Sequence, residues 1–225
     1  MLFRHFYNRL PLQLLSIRKH FLTNKQNYTV IKNTQTYHNY NIIPDVFDEA
    51  PNEPLIIQFK NGIEVDYGNI LQPKDVLEPP IIQWEHDAKK YYTLCMLDVD
   101  LPTRLEPILR SFQLWFVGNI LGQNYMETGE TYANYIGIGP PKNTGYHRYV
   151  IFVCEQKNKI DYSPLIKGDL MLPRYRNHFN YKEFSKQYNL GIPIAGNFFL
   201  AQYDETVPKV YKKLNNLSLF VTPLK

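Results

Sequence analysis

The segment YIGIGPPKNTGYHRYVIFVCEQ, from Tyr135 to Gln156, constrains the fold of this chain more than any other stretch. Its first half holds Gly137, Gly139, Pro140, Pro141 and Gly145, residues that a tightly constrained loop needs. Glycine supplies backbone angles or closeness of approach that other residues resist, and each proline fixes φ and removes a donor. Its second half, Tyr149 to Val153, is an apolar, β-favouring run that reads as a buried strand. His147, Arg148 and Tyr149 sit at the junction, where a rigid scaffold holds a few polar groups in fixed positions. A small binding site belongs there.

The 225-residue chain is consistent with one sizeable core plus an appended segment. A hydrophobic content of 44%, with 18 Tyr and 13 Phe, indicates an aromatic-rich interior and argues against disorder. No apolar run approaches the ~18 residues of a membrane span, so no transmembrane segment is expected. Cys95 and Cys154 lie in apolar runs and read as core thiols, with a disulfide as the alternative. Without CxxC spacing there is little support for a metal or redox site, and no cofactor is expected.

The net charge of +4 is unevenly placed. Residues 1–44 hold six basic residues (Arg4, Arg9, Arg18, Lys19, Lys25, Lys32) and no acid, which leaves 19 basic against 21 acidic residues in the body. Direct nucleic-acid binding needs clustered positive charge and is not expected of such a body. Residues 1–22 mix Arg and Lys with Leu, Phe and Ile, the composition of a mitochondrial transit peptide. A basic, poorly ordered extension is the bland alternative, so mitochondrial and cytoplasmic location both stand. Thr23 to Tyr40 reads as a linker, with a short helix as the other option. The domain division is therefore 1–41 as a basic extension and 42–225 as the folded body.

Within the body, prolines punctuate short candidate strands at Leu55–Phe59, Ile63–Tyr67 and Ile81–Trp84, with Asn61-Gly62 as a hairpin signal. Tyr91–Leu97 is almost wholly apolar, which predicts burial on both faces. Gln113–Ile120, Tyr132–Ile136, Tyr149–Val153 and Asn197–Tyr203 complete the strands. Asn180 is placed to cap a helix stopped by Gly191, and Asp204 to cap a second over Glu205–Leu214. Many short strands and few helices predict a mainly β protein, a β-sandwich with small helical additions.

LDVDLPTR, from Leu97 to Arg104, carries Asp98 and Asp100 two residues apart, on one face if the strand persists. Such a pair could bind a metal, act as acid and base, or accept hydrogen bonds; Asp before Pro is equally ordinary turn chemistry. His147 alone is more often a structural residue than a ligand, and no second His lies at metal-ligand spacing. No GxSxG, HExxH or phosphate-loop motif occurs, and no nucleophile is placed, so the expectation is a protein that is not an enzyme.

These two stretches, together with IPDVFDEAPNEPL, VLEPPIIQW and GIPIAGNFFLAQYDETVPKVYKKL, carry a resemblance in order over nearly all of residues 42–214. The chain resembles the phosphatidylethanolamine-binding protein family, whose animal members include the Raf kinase inhibitor proteins. The resemblance implies an antiparallel Greek-key β-sandwich with a C-terminal helix beside a small anion-binding cavity. It also implies phosphatidylethanolamine or another phosphate-bearing ligand, and protein partners such as a kinase or a protease. Carried over, the cavity wall comprises Asp98, Pro102, Gly137, Gly139, Pro140, His147 and Tyr149, with Asp100 buttressing it. A structural, ribosome-associated mitochondrial branch of the family is the alternative.

One departure from the family pattern matters. Where members typically have a Tyr and then Trp-His-His, this chain has Leu109, Phe112, Gln113 and Leu114. Leu114 removes a donor able to carry charge, a loss of roughly 1.5–3 kcal/mol or ten- to a hundredfold in affinity. The expectation is a pocket retained in shape with weakened anion binding.

Overall fold

Apolar runs long enough to be covered on both sides set the middle of the sheet. In chain order the strands are β1 (Glu53–Pro54), β2 (Ile56–Gln58), β3 (Ile81–Gln83), β4 (Tyr91–Asp98), β5 (Phe112–Leu121), β6 (Glu130–Ala133), β7 (His147–Gln156) and β8 (Ala195–Ala201). The helices are α1 (Val30–Asn39), α2 (Ile42–Asp45), α3 (Tyr181–Tyr188) and α4 (Val207–Ser218). This computed structural model describes residues 30–163 and 175–218. The expected targeting segment, residues 1–22, lies outside the described residues.

The fold is mainly β. Six strands form one sheet in the order β1-β8-β7-β4-β5-β6, and β2 and β3 form a second. All pairs are antiparallel except β1 with β8. Alternate residues of β4 and β7 feed two cores. Tyr92, Leu94 and Met96 join Tyr149, Ile151 and Val153 on one face. Cys95 and Leu97 join Val150, Phe152 and Cys154 on the other. Burial on both faces is thus borne out for β4, and both cysteines are free, buried thiols.

Three expectations need correction. Ile63–Tyr67 is not a strand: Lys60–Gly62 form a 3₁₀ turn, and the chain folds back with only a bridge between Gln58 and Glu64. Side chains take the backbone bonds that a ladder would need. Asn197 accepts from the Tyr67 N–H and donates to the Val65 carbonyl, and Asn69 donates to the Glu64 carbonyl. β6 lies earlier than expected because the ladder is interrupted after Ala133, where the Asn134 carbonyl turns to Arg176 before the Ile136 N–H returns to the Leu114 carbonyl of β5. Finally, the linker reading gives way to its alternative, a helix. Tyr37 on α1 is 1% exposed, packed against Phe47, Tyr67 and Phe198, so packed structure extends back before Ile42.

The N-terminal caps behave as the sequence indicates, but the stop of α3 is Asn189 and not the expected Gly191. The Asn180 side chain accepts from the Lys182 and Glu183 N–H groups, and Asn189 ends α3 in the left-handed region two residues before Gly191. Asp204 accepts from the Thr206 N–H, and α4 begins at Val207 with Pro208 in its first turn.

Candidate functional site

Strand register brings the site together at one end of the sheet. β4 ends at Asp98, opposite Tyr149 on β7 and Phe112 on β5, while β7 begins at His147, opposite Ala201 at the end of β8. His147 and Tyr149 are two apart on one strand and so share the face that Asp98 occupies. All three are buried. The imidazole Nδ1–H donates to the Asp98 carboxylate, at 3.1 Å from Oδ1 and 3.0 Å from Oδ2. On the other side Nε2 lies 2.9 Å from Thr144 Oγ1, whose own proton goes to the Pro141 carbonyl at 2.7 Å.

That pattern favours a charged ring. A threonine hydroxyl has one proton, so with Thr144 donating to Pro141 it accepts from Nε2–H. Both ring nitrogens therefore donate, which describes an imidazolium. Burial opposes the charged ring, but the Asp98 hydrogen bond and charge outweigh it, with Asp100 and the Pro102 carbonyl adding to the effect, and the His147 pKa rises. Asp98, His147 and Thr144 lie in the order of a catalytic relay. The hydroxyl proton, however, is directed away from the ring, and the ring has no free lone pair to remove it. The arrangement does not activate Thr144 as a nucleophile.

The Tyr149 hydroxyl is fully buried and makes no hydrogen bond of standard geometry among the described residues, although the Asp98 carboxylate lies near enough to engage it weakly. Burial first, then the charge and weak hydrogen bonding of Asp98, hold the phenol protonated well above its ordinary range. Its ring stacks on Phe199 at 5.2 Å. A buried hydroxyl held this loosely can turn to a better-placed acceptor on a ligand.

Asp98 and Asp100 do not share a face, because β4 stops at Asp98. The Asp100 N–H bonds back to Asp98 Oδ1, and its carboxylate turns under the site to Arg148. There Arg148 Nε reaches Asp100 Oδ2 at 2.8 Å, the backbone N–H reaches the same oxygen at 2.9 Å, and Nη2 reaches Oδ1. The guanidinium also binds the carbonyls of Tyr40 and Asn41, each at 2.8 Å, and Asp45 Oδ2 at 2.9 Å. Asp100 therefore supports the site from beneath and does not line it.

The glycine loop closes the other side. Gly139 is needed for closeness: a Cβ there would meet the Tyr211 ring at 3.1 Å, and the Tyr211 hydroxyl donates to the Gly139 carbonyl at 2.8 Å. Gly145 instead has open space but φ +77°, a left-handed position that only glycine adopts freely. Pro140 and Gly137 are buried in this wall, and Pro102 is half-buried opposite them. Thr144 and Tyr211 were not singled out in the sequence. Thr144 stands three residues before His147 in the motif, and Tyr211 is hidden in the apolar stripe of α4.

On β5, the expected loss of a donor takes a specific form. The register slips between Met96 and Leu97, which face Trp115 and Gln113, so Leu114 is the extra residue of a β-bulge. The bulge sends Leu114 and Trp115 into the same core as Tyr149 and Ile138. Gln113 points the other way, its amide 3.9 Å from the Cys95 sulfur. An isobutyl group thus lies in the core cluster that also holds Tyr149. No cluster of His, Cys, Asp or Glu among the described residues could hold a metal ion.

Comparison with known proteins agrees with this architecture. The model of the family described as "Phosphatidylethanolamine-binding protein" matches residues 57–199. The putative odorant-binding protein A5 of Drosophila melanogaster is 34% identical over 177 residues, 79% of this chain and 83% of that protein. A phosphatidylethanolamine-binding protein from Plasmodium vivax superimposes with a TM-score of 0.64 at 25% identity, covering 76% of this chain and 97% of that one. The crystal structure of a carboxypeptidase Y inhibitor complexed with its cognate proteinase gives 0.68 at 22% identity, covering 80% and 100%, a likeness of fold. This chain belongs to the phosphatidylethanolamine-binding protein family.

Proposed function

We propose that this protein is a non-enzymatic binding protein whose site takes a small phosphate-bearing group such as the headgroup of phosphatidylethanolamine, with affinity reduced by Leu114. The carrying observation is the buried Tyr149 hydroxyl, only loosely engaged by Asp98, beside the His147–Asp98 pair. Tyr149 supplies a donor for a phosphate oxygen, and the imidazolium offsets the Asp98 charge that would otherwise repel an anion. Asp98 is in turn an acceptor for an ammonium group on the same ligand. The name of the Drosophila relative supports small-ligand binding as a shared theme. A regulatory role, through contact with a kinase or protease, follows from family membership and from no surface described above.

Titration calorimetry of the full chain with phosphorylethanolamine tests this reading. The expected affinity is weaker than micromolar. Tyr149→Phe lowers it further by about tenfold, and Leu114→His raises it about ten- to a hundredfold. Micromolar binding by the natural chain overturns the weakening, and indifference to Tyr149→Phe overturns the site.

A second reading is a structural mitochondrial protein that has given up its ligand. It is supported by the basic residues 1–44 and by both His147 nitrogens already having partners within the chain. Mitochondrial import of a reporter fused to residues 1–44 and co-sedimentation with mitochondrial ribosomes, with no calorimetric signal, are its expected outcomes.

A further inference from the structure

The topology gathers three connections at the end of the sheet that holds the site. These are the loop from β4 to β5, the glycine loop that leads into β7, and the junction from β8 to α4. The first of them carries two aliphatic side chains in water: Leu105 is 94% exposed and Ile108 is 72% exposed. Neither is a loose tip. The Leu109 N–H bonds the Leu101 carbonyl at 3.1 Å, Arg110 Nε bonds the Val99 carbonyl at 2.8 Å, and the Glu106 N–H bonds Thr103 Oγ1 at 3.0 Å. Leu101, at the base of the loop, packs against the core. The loop is thus a closed unit that holds two apolar groups outward from a fixed base.

We propose that this end of the molecule docks on a phospholipid bilayer, with Leu105 and Ile108 entering the interface beside the site. The proposal rests on the headgroup reading of that site. A headgroup is tethered to acyl chains that stay in the membrane, so a buried site can receive it only when the end carrying the site meets the bilayer. On this chain that end is the one with the protruding aliphatics, a few residues along the chain from Asp98. Its other exposed large side chains fit an interface: Tyr146, next to His147, and Tyr211, over Gly139, each present an apolar ring with a polar tip. The two arginines of this loop, Arg104 and Arg110, turn inward to the Tyr40 and Val99 carbonyls, which leaves Leu105 and Ile108 as its outward groups.

Two protruding groups on one loop form a wedge for a fluid interface, where each buries its own area independently. Flotation of the full chain with vesicles of phosphatidylcholine, with and without phosphatidylethanolamine, tests the proposal. The natural chain is expected to float with the mixed vesicles. Leu105→Ser with Ile108→Ser is expected to reduce binding about tenfold or more, with the unfolding transition and the phosphorylethanolamine titration unchanged. Equal flotation of the double variant overturns the proposal. So does a natural chain that binds soluble phosphorylethanolamine but no vesicle, and that outcome leaves the headgroup reading intact. If vesicle binding depends on the loop while Tyr149→Phe is without effect on either ligand, docking stands and the headgroup reading falls. Loss of lipid-free self-association in the double variant, with flotation unchanged, assigns the loop to a second copy of this chain and overturns docking.

Discussion

Asp98 and Thr144 between them leave His147 no lone pair, and this has a measurable consequence. The ring carries a pKa above its ordinary ~6.5 in the folded protein, burial opposing the shift and Asp98 driving it. Because the folded value is raised, the stabilisation is complete below about pH 6.5 and is lost as pH rises through the folded value. A proton NMR titration of the ring is expected to show the raised value in the natural chain. Asp98→Asn is expected to lower it, since burial is then opposed only by Asp100 and the Pro102 carbonyl. An ordinary value in the natural chain would remove the imidazolium from the account. Leu114 illustrates what the sequence can convey at this scale. That a donor is missing is legible from residue type. That a bulge turns Leu114 and Trp115 to the same side is not, because a register slip depends on the facing strand.

The least legible element was α1, and the reason is physical. Its sequence, VIKNTQTYHN, is rich in Asn and Thr, which favour caps and turns over helix interiors. Its stability comes from tertiary contact, above all from Tyr37 against Phe47, Tyr67 and Phe198. Tyr37→Ala is expected to destabilise the protein by about 3–5 kcal/mol, as loss of a buried aromatic does. Tyr37→Phe is expected to be neutral or mildly stabilising, because the hydroxyl is buried without a partner. Urea unfolding of both variants checks this. An alanine variant as stable as the natural chain would return the beginning of the packed body to Ile42. By contrast, β4 and β7 were legible to within a few residues, because strands covered on both faces leave continuous apolar runs.

At the scale of the whole molecule, Arg148 joins parts of the chain that sequence reading kept separate. It holds Asp100 at the end of β4, the carbonyls of Tyr40 and Asn41 between α1 and α2, and Asp45 on α2. Arg110, from the loop bearing Leu105 and Ile108, reaches Asp45 at 3.3 Å and Asp100 at 3.6 Å. Two arginines and two aspartates thus tie the N-terminal helices, the exposed loop and the first turn of β7 into one base beneath the site. Both LDVDLPTR and HRY stood out in the sequence, but their pairing across 48 residues did not, since charge complementarity alone does not choose among partners. Removing one member leaves a buried charge exposed to a low dielectric. Arg148→Met is therefore expected to destabilise by about 3–5 kcal/mol, and Asp100→Asn by a comparable amount. The double variant is expected to fall short of the sum of the two, because neither charge is then left alone. Denaturation of the four proteins completes that cycle. The same variants should weaken phosphorylethanolamine binding even though Arg148 lies on the opposite face from Tyr149. The residue after His147 would have lost its anchor, and the donors of the site would no longer be held in place. Strict additivity in stability, with unchanged binding in Arg148→Met, would show that the base and the site are independent.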